Sequence, residues 1–214
     1  MKVRWRALMG NSAAADEAFD RLEAAYGEES RAYHNLTHIT DLLNELDSAP
    51  AAAGEAVEIA IWYHDVVYDS HAKDNEAQSA AWAKRDLVEL GFAKTIRNDV
   101  ERLILATRHD IEISSKDEKQ IISLDLSTLG KSSERYADYA KAIRREYSWV
   151  AENEYNKGRA SVLSSFLDRP EVFPDEWFRD RYESQARKNL TWELGRLKSG
   201  QRFHCNSPAP CAGK

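Results

Sequence analysis

Two histidines and two aspartates stand where helices would turn apolar faces toward a core. In the stretch Ile61-Trp62-Tyr63-His64-Asp65-Val66-Val67-Tyr68-Asp69, Ile61, His64, Asp65 and Tyr68 fall at i, i+3, i+4 and i+7, the spacing of a buried helical stripe. An ionised carboxylate on that stripe is costly unless a counter-charge or a metal ion compensates it. The anomaly recurs where Ile122, Asp125, Leu126 and Leu129 make a second apolar stripe with one aspartate inside it. A third signal is Tyr33-His34-Asn35-Leu36-Thr37-His38-Ile39, two histidines four residues apart with Asn35 suited to cap a helix over 36–47. Imidazole and carboxylate donors drawn from three helices suit a transition-metal site of mixed ligands. The sequence therefore nominates His38, His64, Asp65 and Asp125 as ligands of a divalent ion. Mn, Fe, Co, Ni and Zn all accept such donors, and the imidazoles make Mg alone less natural.

The elements that must position these residues are helices. Nine glycines and five prolines in 214 residues are few, and long stretches set Ala, Leu, Glu, Lys and Arg at helical spacing, which predicts an all-α protein. Helices are expected near 12–27, 36–47, 54–69, 74–90, 94–108, 117–129, 132–151, 153–168 and 175–198. Asp110-Ile111-Glu112-Ile113-Ser114 alternates but is too short to stand as a strand. The breaks at Gly27, Pro50 to Gly54, Gly91, Gly130, Pro170 and Pro174 are short. The expectation is one compact multi-helix bundle over residues 1–200, with a disordered tail over 201–214. That tail holds both cysteines, Cys205 and Cys211, beside His204; a disulfide or metal clip there is the lesser expectation, because cytosolic thiols stay reduced.

Charge narrows the partners. A net charge of −6 without a Lys/Arg-dense block argues against a long nucleic acid. A small phosphorylated molecule needs only a local positive site and stays compatible. Lys2, Arg4 and Arg6 are followed by Asn11, Ser12, Asp16 and Glu17 rather than by an apolar run, and no segment reaches membrane-spanning length, so a cytoplasmic protein is expected. The sequence does not fix an oligomeric state.

The order of a histidine, a His-Asp pair and a distant aspartate resembles the HD superfamily of metal-dependent phosphohydrolases, especially its small stand-alone branch, over roughly residues 30–190. Tyr33-His34-Asn35 followed by His38 is also similar to the Tyr-His-Asn-x-x-His motif of class I cyclic-nucleotide phosphodiesterases. That likeness implies a general acid at His34 and a metal ligand at His38. His64 and Asp65 match the defining pair, and Leu124-Asp125-Leu126-Ser127 resembles the segment that carries the last ligand. Leu105-Ala106-Thr107 is a weaker match to an Ala-Thr segment. The second His-Asp, His109-Asp110, is not the primary pair; by resemblance His109 binds a second ion or a substrate phosphate, and a plain surface histidine is the other reading.

Further roles come from the same resemblance. Alarmone hydrolases carry Glu-Asp shortly after the His-Asp pair, where this chain has Tyr68 and Asp69; Asp69 remains a candidate base, and the missing glutamate speaks against alarmone hydrolysis. Asn75-Glu76 with Ser79 resembles an Asn-Glu-x-x-Ser stretch, which makes Glu76 a second candidate for handling water, beside its alternative as a helix-start acid. Gly158-Arg159 is similar to an element of the small branch, so Arg159 is a phosphate contact by resemblance, and a structural ion pair or solvated arginine otherwise.

The expected chemistry is attack by metal-activated water at phosphorus, hydrolysing a phosphomonoester or phosphodiester of a small, nucleotide-like substrate. His34 would donate to the leaving oxygen. Two alternatives stand beside it: a di-iron oxygenase, with His109 and Glu76 as the extra ligands, and a metal-stabilised nucleotide-binding regulatory module without turnover.

Overall fold

The computed structural model describes residues 1–50, 54–109 and 112–199. Among them the chain forms ten α-helices and no strand: α1 (Lys2–Met9), α2 (Ala13–Tyr26), α3 (Leu36–Ser48), α4 (Glu55–Tyr63), α5 (Asn75–Glu89), α6 (Lys94–Ala106), α7 (Lys116–Asp125), α8 (Ser133–Glu146), α9 (Glu152–Leu167) and α10 (Glu176–Ser199). A 3₁₀ turn, Leu126–Gly130, joins α7 to α8. The tail with His204, Cys205 and Cys211 lies outside the described residues, as do Asp110 and Ile111 of the alternating segment. None of the described helices is long and apolar enough to cross a membrane.

Backbone contacts gather the chain into two compact units, one ending at Asp125 and the other starting at Leu126. The sequence alone reads as one domain, because this boundary has no linker. It falls inside the continuous run from α7 into the 3₁₀ turn.

In the first unit α4 is central. Its Val57, Ile59, Ala60, Ile61, Trp62 and Tyr63 are all buried, as a helix flanked by α3, α5, α6 and α7 requires. Helix α1, which the sequence did not predict, brings the fully buried Trp5 against Trp62 edge-on at 5.4 Å and ties its indole N–H to the Ala15 carbonyl at 2.7 Å. Local chemistry sets the helix starts. Ser12 and Asn35 accept from the backbone N–H of Ala15 and Thr37. Ser115 and Glu118 exchange bonds as a capping box at α7, the Ser115 hydroxyl accepting from the Glu118 N–H and the Glu118 carboxylate accepting from the Ser115 N–H. Glu118, buried beside Arg102, has its carboxyl drawn down to about 2: burial opposes ionisation, and the Arg102 pair and the Ser114 and Ser115 bonds outweigh it.

In the second unit α10 packs on α8, α9 and the 3₁₀ turn. The Asn189 amide donates to the carbonyls of Leu129 and Lys131 at 2.8 and 2.9 Å. Gly130 lies so close to the Tyr182 ring that a Cβ would come within 2.9 Å of ring carbons. Glu193, fully buried, accepts two bonds from Arg159 at 2.9 and 3.1 Å and a short one from the Tyr136 hydroxyl.

Candidate metal centre

Three chain segments of the first unit meet at the proposed ligands. Asn35 caps α3, and its amide also donates to the carbonyls of Arg31 and Ala32 at 3.3 Å, so the entry to the helix is fixed and His38 sits in the first turn. Asp125 is the last residue of α7. His64 and Asp65 correct the sequence reading. The expected helix over 54–69 ends at Tyr63, and His64 is its C-cap.

Side chains take up the backbone groups at the end of the helix and in the turn behind it: the Ile61 carbonyl faces His64 Nδ1 at 3.0 Å and the Trp62 carbonyl accepts from the Tyr26 hydroxyl at 3.0 Å. Arg31 donates to the carbonyls of Asp65 and Val66 at 2.6 and 2.9 Å. The Ser79 hydroxyl accepts from the Val67 N–H at 3.1 Å, and the Asn75 amide bonds both the N–H and the carbonyl of Asp69. His64 keeps helical backbone angles, φ −57° and ψ −35°, and its Nε2 lies 3.0 Å from Asp65 Oδ2.

The four nominated residues form one group whose donor atoms all lie within 4.8 Å of one another. His38 Nε2 is 3.2 Å from His64 Nε2, 3.5 Å from Asp65 Oδ2 and 3.4 Å from Asp125 Oδ1, and His64 Nε2 is 3.6 Å from Asp125 Oδ1. Donors held about 2.1 Å from a common ion stand roughly 3.0–3.4 Å apart on neighbouring vertices of an octahedron or tetrahedron. The observed separations lie at or just beyond that spacing. His64 Nδ1 faces the Ile61 carbonyl at 3.0 Å; a carbonyl only accepts, so Nδ1 carries a proton, and a metal ion that displaces the second proton would meet the Nε2 lone pair facing inward. This group of two buried imidazoles and two carboxylates can bind a metal ion.

Charge is distributed unevenly across the group. Burial pushes both carboxyls up, but neighbouring imidazoles outweigh it: Asp65 lies below the usual carboxylate range beside His64 and His34, and Asp125 well below it beside His109, His38 and His64. Burial lowers His38. Burial also opposes protonation of His64, yet the two carboxylates raise it. The histidine side chains are 1% exposed and the aspartates 16% and 19%, so the group opens to solvent on its carboxylate side.

The surrounding candidates fall at different places. His34 stacks on Tyr68, ring centroids 3.9 Å apart, and meets the His38 ring at 6.0 Å, which puts it at the edge of the group. His109 joins it directly: its Nε2 is 3.2 Å from Asp125 Oδ2, the oxygen not turned toward His38 and His64, and its backbone is in the left-handed region at φ 60°. That conformation is uncommon for a residue with a Cβ. Asp69 is exposed and bonds the backbone and ring of His71 at 2.8 and 2.9 Å, which holds its carboxyl below the usual range. Glu76 is half-buried in the first turn of α5 and is not one of the four grouped residues. Arg159 is in the second unit, bound to Glu193. Its buried ion pair is the structural alternative that the sequence left open.

Sequence reasoning missed Arg31 and Tyr33. The Tyr33 ring packs 4.7 Å from that of His38. Arg31 carried a weak signal, a lone arginine after Glu28-Glu29-Ser30 and just before the histidine motif. Comparison with protein-family models, with curated proteins and with solved structures finds no significant match to this chain.

Proposed function

We propose that the protein is a metal-dependent phosphohydrolase acting on a small, nucleotide-like phosphoester, with His38, His64, Asp65 and Asp125 as the ligands. The observation that carries the reading is the convergence of these four donors, each imidazole nitrogen 3.0–3.6 Å from the other and from both carboxylates and the whole group within 4.8 Å, beside a solvent-open carboxylate edge. The ordered likeness to the HD superfamily, at His34, His38, His64-Asp65 and Asp125, supports phosphoester chemistry over other uses of such a centre.

A divalent ion bound there supplies a nucleophilic water at neutral pH and offsets charge on a phosphoryl group. The chain's own residues supply the rest. His64 keeps its donor nitrogen aimed inward through its bond to Ile61. His34, at right angles to the Tyr33 ring and stacked on Tyr68, donates a proton to the leaving oxygen. Asp69 and Glu76 remain the candidates for ordering water, both on the segment that follows the His-Asp turn. The contact between His109 and Asp125 is the observation that favours a two-ion version, the arrangement that an oxygenase would need.

The test is to purify the protein without chelator, measure bound metals by elemental mass spectrometry, and screen phosphatase and phosphodiesterase substrates against Asp65→Ala. Metal-dependent release of phosphate or nucleotide, abolished by the substitution, is the expected result. Stoichiometric metal without turnover would replace the hydrolase by a binding module, two irons with oxygen consumption would replace it by an oxygenase, and failure to bind any metal would sink the reading.

A further inference from the structure

Arg31 has an unusual set of partners for a buried cation. Its side chain is 2% exposed, yet its one carboxylate, Glu28 at 3.0 Å, is half in solvent. The rest of the guanidinium faces backbone carbonyls: Nη1 donates to Asp65 at 2.6 Å and to His34 at 3.4 Å, and Nη2 donates to Val66 at 2.9 Å. Its guanidinium carbon lies over the Tyr26 ring, 5.4 Å from the centroid, and the Tyr26 hydroxyl is itself fixed to the Trp62 carbonyl. One rigid fork thus spans the segment that enters α3, which bears His34 and His38, and the turn that bears His64 and Asp65. Lysine, a point charge on a flexible stem, has no planar fork to reproduce this geometry.

We propose that Arg31 is the positioning residue of the metal centre: by clamping the His34 carbonyl to the Asp65 and Val66 carbonyls, it sets the separation between His38 and the His64-Asp65 pair. The role rests on the metal reading above but concerns no ligand side chain, since Arg31 acts through backbone oxygens alone. The fork holds the Asp65 and Val66 carbonyls, which a continuing helix would have offered to the N–H groups of Asp69 and Ser70, and so fixes the turn that follows α4.

The experiment is a Co²⁺ titration of chelator-treated wild type, Arg31→Lys and Arg31→Ala, read by the visible absorption of the bound ion, with far-UV circular dichroism as the folding control. Loss of support behind metal ligands weakens binding about 10–100-fold. Both variants should lose affinity within that range and show an altered Co²⁺ spectrum at unchanged helicity, and millimolar guanidinium should restore Arg31→Ala toward wild type. A folded variant with wild-type affinity and spectrum overturns the proposal. Wild type that binds no Co²⁺ overturns the centre itself, and Arg31's role with it. Should both variants fail to fold, amide hydrogen exchange of chelator-treated wild type decides: slow exchange over 34–38 and 64–67, unchanged by Co²⁺, is expected. Fast exchange that slows only when Co²⁺ is added would show that the ion joins the segments, which overturns the proposal.

Discussion

Glu193 and Asp65 are both carboxylates inside helical packing, and the two units treat them oppositely. Around Glu193 every close polar neighbour is a donor: Arg159 gives two bonds and Tyr136 a third. Asp86 in the first unit is treated in the same way, receiving Arg21, Tyr63 and Trp82. Around Asp65 the neighbours are imidazole nitrogens that themselves possess lone pairs, and a second carboxylate stands within the same group. A closed set of donors around an acceptor is complete and structural. A set of groups that can all accept, turned toward one another, is completed by a cation, either the proton that the carboxylates favour on His64 or a metal ion that replaces it, so the chemistry of the neighbours, rather than burial, separates a structural carboxylate from a ligand.

The largest effect that would sharpen this contrast is on cation binding. Asp65→Ala should weaken Co²⁺ or Mn²⁺ binding by about a thousandfold or more, on the order of 4 kcal/mol. A thermal-shift titration checks it: wild type should gain about 2.7 kcal/mol at a hundred times Kd, and the variant nothing. Equal stabilisation of both would break the comparison. Glu193→Gln should do the reverse, costing about 3–5 kcal/mol in urea denaturation because Arg159 is left as an unpaired buried charge, with no dependence on added metal in that loss.

Glu118 offers an intermediate case, a buried carboxylate satisfied by a capping box and Arg102. Its folded-state carboxyl lies at about 2 against an ordinary 4.5. A depressed carboxyl stabilises fully above the unfolded value, so this contribution, on the order of 2 kcal/mol, is present above about pH 4.5 and is lost as pH falls toward 2. Glu118→Gln should flatten that part of the stability-versus-pH curve; an unchanged acid limb would refute it. The smallest effect is expected at His109→Gly. Relief of the left-handed backbone should leave stability equal or higher by up to about 1 kcal/mol, while cation affinity falls about tenfold through the loss of support for Asp125. Calorimetry and metal titration on the same samples test both directions.

Much of the centre was legible because its logic is local. His64-Asp65 and Asp125 interrupt apolar patterns, and Asn35 carries its own capping chemistry, so residue type and spacing alone brought out the four grouped side chains. The end of α4 was not legible. Nothing in Tyr63-His64-Asp65-Val66-Val67-Tyr68 breaks a helix; the groups that take up backbone there are Tyr26, 36 residues before Trp62, and Ser79, 12 residues after Val67, with Arg31, 34 residues before Asp65, holding the turn beyond. Helix α1 was missed for a similar reason: eight residues with three basic side chains show little periodicity, and what orders them is Trp5 in a pocket built from α2 and α4. Arg159 had a correct structural alternative, but its partner Glu193 lies 34 residues away in another helix, beyond the reach of spacing arguments.

The helix ends carry a further consequence. His64 caps the C-terminus of α4, Asp125 closes that of α7, and His109 follows three residues after the last residue of α6; only His38 comes from a first turn. Aligned peptide dipoles place roughly half a negative charge at each C-terminus and half a positive charge at each N-terminus. Three against one leaves the main chain itself electronegative at this point. An anion arriving alone meets backbone as well as side-chain repulsion there, so inorganic phosphate should bind more tightly once the cation is in place, a preference to which the peptide groups contribute beside Asp65 and Asp125.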